Sequence, residues 1–417
     1  MKLVIRSLQR YIYSLGLFLA GMAFFTTASA QTGNEWIQFS QFYYKIPVAQ
    51  TGLYRVTYND LQAIGFPVGS VDPRRLQLFH RGVEQAIYIE GEGDAVFNAA
   101  DYIEFYGRKN DGTSDNELYK PTTAQPHTYH NLFSDTTWYF LTYNNLAVLG
   151  KRIPKMWEVN VTSIPQETAH TDEKLLVNTQ QHSDGIAYQQ YIRNTYFDIG
   201  EAWTGVMISQ NQNIDYVLDG ITNGVTAAGL PQLEVMVAGR AEISTPHRIE
   251  IYAGPNASGL RLLGTQDVFN FNVHTFNLPL AWTDIGADGR MTVRMRLLAT
   301  GTAARASVSY IKLNYPQNFN ATGATEKYFQ LAENGSGKSF VNMTNVPANS
   351  RLFDVTDPAN VIWYQPPAST FNPVISNTES SRKLFLTNIT RTVTGIKRVN
   401  FRNINAAQHN YIVISHS

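Results

Sequence analysis

The 417-residue chain contains no cysteine, which excludes disulfides, thiolate metal sites and a cysteine nucleophile within these residues. Charge is scarce as well: Asp, Glu, Lys and Arg make up 16% of the chain, against about 25% in ordinary globular domains. The 33 basic and 33 acidic side chains cancel. Without a cationic surplus to neutralise phosphates, nucleic acid is not an expected partner. No glycine-rich phosphate loop or dinucleotide fingerprint occurs. Helical periodicity is rare, and neither fixed-period repeats nor low-complexity segments stand out. After residue 30 no apolar run reaches the roughly 20 residues that a helix needs to cross a bilayer.

What the chain has instead is aromatic and strand-forming. Tyr and Phe number 23 and 22, a balance that suits an exported, strand-rich protein. Residues 1–30 read as a secretory signal. Lys2, Arg6 and Arg10 precede an apolar core over 15–25, and Ala28-Ser29-Ala30 supplies the small residues of a cleavage site. The expected mature product begins at Gln31 and has no membrane span. Further on, Arg248-Ile249-Glu250-Ile251-Tyr252 and the run 291–297 alternate polar and apolar residues, the mark of half-buried strands. Ala306, Val308 and Tyr310 share one phase, whereas Ile311, Leu313 and Tyr315 share the other, which predicts a bulge near Tyr310. One short helix is expected over 59–64, capped by Asn59 or Asp60 and stopped by Gly65. Composition divides the mature chain into a β domain over 31–160, a sandwich or jelly-roll domain over 165–320 and a small β unit over 321–404. The fold class is therefore mostly β, in tandem units. Tyr411-Ile412-Val413-Ile414 is a continuous apolar run, of the kind buried on both faces in parallel sheets.

Few residues form chemical constellations. Glu90, Glu92 and Asp94, followed by Asp101, concentrate carboxylates in one inter-strand loop. Hard cations take several oxygens from such loops, so calcium is the candidate ligand there; an ordinary acidic turn is the preferred reading. His127 and His130 lack a third ligand for zinc. His182-Ser183-Asp184 lacks the strand-turn-helix context of a hydrolase nucleophile. Trp203 and Trp282 fall in the sandwich domain, where exposed indoles would stack on sugars and buried ones would fill the core. Core packing is preferred for both. No other cofactor or metal is expected. Sequons at Asn160, Asn256, Asn320, Asn342 and Asn388 are coincidental behind a bacterial export signal.

Several stretches, taken together, resemble a known family. FYYKIPVAQTGLYRVTYNDLQAIG (42–65), VDPRRLQLFHRGVEQAIYI (71–89), ADYIEFYGRKNDGTSDNELY (100–119) and LFSDTTWYFLTYN (132–144) are similar to the N-terminal region of gingipain-family proteins. The sortase-like members of the bacterial type IX secretion system are the nearest in kind. SVSYIKLNYPQ (307–317) resembles the strand closing the family's middle β domain, and RLFDVTDPANV (351–361) resembles a W-D-V-T-[DN]-P segment with Phe353 in the Trp position. HNYIVISHS (409–417) resembles the first strand of the family's α/β, caspase-like peptidase domain, so 405–417 is expected to be its start. The resemblance implies a cysteine-peptidase family whose His–Cys dyad belongs to that domain. Neither member maps onto this sequence: there is no Cys, and His416 matches no catalytic position. It further implies a non-catalytic scaffold or pro-region with no peptidase activity alone. Its partners would be the family's catalytic domain, the secretion machinery and client proteins. The implied location is the periplasm, outer-membrane surface or exterior of a Gram-negative bacterium. A secreted jelly-roll module that binds glycan or a cell-surface partner is the alternative.

Overall fold

The computed structural model describes residues 33–144, 148–158, 163–189, 192–298, 300, 303–366, 371–404 and 408. The signal segment 1–30, the sequon at Asn160 and the apolar run 411–414 lie outside the described residues. The described chain is mostly β, as its alternating patterns predict. Among the described residues, no helix is long and apolar enough to cross a membrane.

The first unit is two sheets closed on one core. Tyr43–Val48, Thr137–Tyr143, Leu76–His80 and Val83–Gln85 form one sheet, and Gly52–Thr57, Tyr102–Gly107 and Tyr88–Glu90 form the other. Tyr44, Ile46 and Val48 meet Tyr54, Val56, Ile103 and Phe105 between them. The only α-helix among the described residues runs Tyr58–Ala63, one residue earlier than expected. Its cap is Thr57 rather than Asn59 or Asp60. Thr57 ends the preceding strand, and its hydroxyl accepts the Asp60 amide at 3.2 Å while Asp60 Oδ2 accepts the Thr57 amide at 2.8 Å. Gly65 does stop the helix, at φ +74°.

The sandwich encloses the largest core. Its smaller sheet runs Asn213–Leu218, Met291–Leu298, His247–Gly254, Arg261–Val268. Its larger sheet centres on the long strand Arg305–Gln317, flanked by Gln232–Gly239 and His170–Val177. The phase flip in the long strand is a bulge: Met236 pairs with Tyr310 but Val237 pairs with Val308, leaving Ser309 extra. The extra residue lets Ala306, Val308, Ile311, Leu313 and Tyr315 all enter the same core.

The unit boundaries drawn from composition are crossed twice. The larger sandwich sheet does not end near residue 320. It continues from His170–Val177 into Glu326–Leu331, Arg382–Thr387, Arg351–Asp354, Ile362–Tyr364 and Lys155–Met156, so one ten-stranded sheet serves both the sandwich and the third unit. Nor does the third unit extend to 404. Arg391–Thr392 pairs in parallel with Tyr54 and Arg55, and Lys397–Val399 pairs antiparallel with Tyr43, Tyr44 and Lys45. The chain's last described strands thus edge both sheets of the first unit, covering backbone groups that would otherwise stand open.

Where the shared sheet passes between units, His170 is buried, only 3% exposed, against Phe319 and Phe329. Burial lowers its pKa from 6.5 to about 4. A lowered folded-state pKa means that the unfolded chain takes the proton first. The stabilisation is complete above about pH 6.5 and is lost as the pH falls toward 4. Between pH 7.5 and 4.5 the wild-type chain is expected to lose roughly 2–3 kcal/mol more stability than His170→Leu, read from denaturant midpoints. Equal losses would place the titration elsewhere.

Candidate functional site

The joint between the first and third units combines a buried apolar cluster with a buried charge cluster. Leu53, Ala86, Tyr106 and Ile153 of the first unit share one buried cluster with Phe353, Val355, Val361 and Phe385. Phe353, in the position where the resembled segment carries Trp, is part of this joint. Tyr102–Gly107 alternates, so Ile103 and Phe105 face the first unit's own core while Glu104 and Tyr106 face the joint. Glu104 is 1% exposed. Arg55 reaches its Oε1 through Nε at 3.0 Å and Nη2 at 2.7 Å, and Arg351, from the other unit, reaches Oε2 through Nη1 at 2.5 Å. Two guanidinium groups therefore compensate one buried carboxylate from opposite sides.

Further polar contacts surround this triad. The Tyr106 and Tyr328 hydroxyls lie 3.0 Å apart, and burial holds the Tyr106 phenol well above its ordinary pKa. Arg391 grips Glu326 with both terminal nitrogens, Nη2 at 2.7 Å from Oε2. The guanidinium lies against Gly52, at φ +156°, where a Cβ would come within 2.3 Å of Arg391 Nη1. A side chain at that φ would be strained, and its Cβ would push the Arg391–Glu326 pair aside. The outer face of the first unit's five-stranded sheet carries a second closure. Trp36, from the N-terminal arm, packs on Tyr43, Phe79 and Phe140, and Phe401, past the last strand, packs on Trp36 at 5.6 Å and Tyr43 at 5.1 Å. An aromatic clasp thus joins two segments far apart in sequence.

The residues singled out in the sequence do not converge on one centre. In the acidic loop, Glu92 pairs with Arg152 at 2.7 Å, Glu90 accepts the Tyr88 hydroxyl, and Asp94 accepts the Val96 amide at 2.9 Å. Asp101 is buried and accepts the Asn98 amide at 2.6 Å. Gly91, at φ +84°, leaves room for the Asp101 carboxylate, since a Cβ there would meet Oδ1 at 1.9 Å. Each of the four carboxylates is engaged by a partner within the protein, with Asn98 serving both Asp94 and Asp101. Among the described residues no three His, Cys, Asp or Glu side chains gather as a metal requires.

The histidines and indoles are equally occupied. His127 Nδ1 accepts the Tyr129 amide at 3.2 Å, its ring packs against those of Tyr129 and Tyr310, which also touch each other, and burial lowers its pKa to about 4. His130 instead meets Trp203 edge to face at 6.2 Å. His182 and Ser183 are adjacent on Gln181–Asp184, so their side chains leave opposite faces of the strand; Ser183 is buried without a hydrogen-bond partner. Trp203 donates Nε1–H to the Leu132 carbonyl at 3.1 Å, and Trp282 donates to that of Gly229 at 3.0 Å. Both indoles are half-buried, and Trp282 packs on the sandwich core. What the sequence reading missed is the joint itself. Its signal was Glu104 flanked by Tyr102 and Tyr106 on one strand face, an aromatic company unusual for a solvated carboxylate.

This arrangement can fix the relative position of β units, and it contains no nucleophile–base pair. No family profile and no curated protein matches the chain. The likenesses to Xylanase10C of Cellvibrio japonicus (12% identity, TM-score 0.20, 36% of this chain and 27% of that one) and to the VP2 subviral particle of infectious bursal disease virus (10% identity, TM-score 0.22, 89% and 86%) are too slight to indicate a shared fold. The fold is shared with dimeric latent PorU from Porphyromonas gingivalis, at TM-score 0.57 and 12% identity over 85% of this chain and 33% of that one, so that the chain spans about a third of the PorU structure.

Proposed function

We propose that these β units are the non-catalytic N-terminal scaffold of an exported gingipain-like protein of the type IX sortase-like kind. The observation that carries the reading is the fold shared with PorU over 85% of the chain while spanning a third of that structure. The collinear motifs from residue 42 to residue 361 support it. So does the joint, whose triad and buried cluster hold the first and third units in fixed register. The scaffold's role is to hold a peptidase domain and present it to secretion machinery and client proteins. Its own residues hold no thiolate, so the acyl-enzyme step of a cysteine peptidase has no nucleophile here.

Two measurements test this. The purified chain is expected to leave Arg- and Lys-containing fluorogenic peptides uncleaved, with or without thiol reagents. The coding DNA around it is expected to specify a Cys-containing α/β domain that forms a one-to-one complex with the chain in analytical ultracentrifugation. Peptide turnover by the chain, or the lack of such a domain or complex, overturns the reading.

A further inference from the structure

The shared ten-stranded sheet is nearly severed at one place. Strands His170–Val177 and Glu326–Leu331 are neighbours, yet their ladder consists of the single pair Thr171 and Gln330. Each strand is well paired on its other side: eight residues of the first with Arg305–Gln317, and all six of the second with Arg382–Thr387. Beyond the single pair lies a cavity of about 330 Å³. Asp172, Glu173 and Lys174 line it from one strand, and Glu326, Lys327 and Tyr328 from the other. Consecutive residues of a strand point to opposite faces. A space lined by consecutive residues of both strands therefore lies in the plane of the sheet rather than on one face. It is a missing stretch of ladder, about three residues long at roughly 3.3 Å each.

The three carboxylates and three ammonium groups that line the gap are not all paired with one another. Asp172 accepts the Tyr315 hydroxyl at 2.8 Å and pairs with Lys174 at 3.2 Å, and Glu326 is held by Arg391. Lys327 donates to the Asn320 carbonyl at 2.8 Å, and the Lys383 ammonium, which also lines the cavity, lies 4.8 Å above the Tyr328 ring. Among the described residues neither lysine has a carboxylate within ion-pair distance, and exposed Glu173 is the one unmatched anion of the lining. Lys327 is partly buried, and that burial lowers its pKa. Asp172 acts on this ammonium only from beyond ion-pair distance, so a carboxylate brought into contact stabilises it further.

We propose that this gap is an acceptor groove for an extended acidic peptide, which adds a strand between His170–Val177 and Glu326–Leu331 and places carboxylates against Lys327 on one face of the sheet and Lys383 on the other. Main-chain hydrogen bonds to the two flanking strands supply the affinity, and the lysines select acidic side chains. The inference stands apart from the scaffold reading, because peptide binding tests it whether or not a peptidase domain accompanies the chain.

The probe is a fluorescein-labelled heptapeptide of five glutamates between two valines, which presents carboxylates on both faces of a strand, titrated with the purified chain by anisotropy. Binding is expected, with hydrogen-exchange protection gained at residues 172–174 and 326–328. A central proline, which removes a ladder donor, and replacement of the glutamates by glutamine are each expected to weaken binding roughly tenfold. Lys327→Gln and the exposed Lys383→Gln are expected to weaken it to a similar degree. No binding at about 1 mM chain, protection at other segments, or equal affinity for the proline peptide overturns the proposal. Competition by inorganic phosphate alone, with the proline peptide bound as well as the parent, identifies a simple anion site and overturns it too.

Discussion

Glu104→Ala is expected to cost about 3–5 kcal/mol of folding stability, because it strands two guanidinium groups at the joint with no carboxylate between them. Arg351 is the more buried of the two, its side chain 18% exposed against 35% for Arg55. Removing Arg351 is therefore expected to cost more than removing Arg55. Taking out the whole triad together is a different matter. With Glu104→Leu, Arg55→Leu and Arg351→Met combined, the desolvation cost disappears along with the attraction, and stability is expected to stay within about 1 kcal/mol of wild type or to exceed it. Guanidinium unfolding measures all four chains. A cost below about 1 kcal/mol for Glu104→Ala would show that water already solvates the pair.

Phe385→Ala is expected to have an effect of similar size, about 3–5 kcal/mol, through a cavity rather than a charge. Phe385 is fully buried, stacked on Tyr328 at 4.8 Å and tilted against Tyr106 at 5.5 Å. Its loss empties the centre of the cluster that spans the two units. In calorimetry the variant is expected to show the first unit melting ahead of the rest, where the wild type melts as one cooperative body. A single transition shifted by less than about 1 kcal/mol would mean that the joint repacks and does not couple the units.

The two predictions show where the sequence was legible. Local alternation located the strands of the sandwich, since each records its own buried face in a period of two. The bulge was legible for the same reason: inserting Ser309 shifts the phase, and the shift is written in the chain. Glu104 was not legible as a buried residue. Alternation assigns it to a face without saying whether that face meets water or another sheet, and here both faces of the strand are covered. The partners lie 49 and 247 residues away, beyond any local pattern. The same limit hid the return of Lys397–Val399 to Tyr43–Lys45, because an edge strand of three residues leaves no periodic trace. For the acidic segment, composition gave no indication of the partners to which its carboxylates are committed.

The clasp has a consequence for how the chain is threaded. Trp36 and Phe401 touch, so the two exits from the described body lie at one corner, and the polypeptide traces a near-closed circuit in space. In such a circuit the choice of starting point is arbitrary. A short glycine–serine bridge from residue 404 to residue 33, with new ends opened in the exposed 226–230 turn, preserves every sheet neighbour described above, which is the condition under which circular permutants keep their fold.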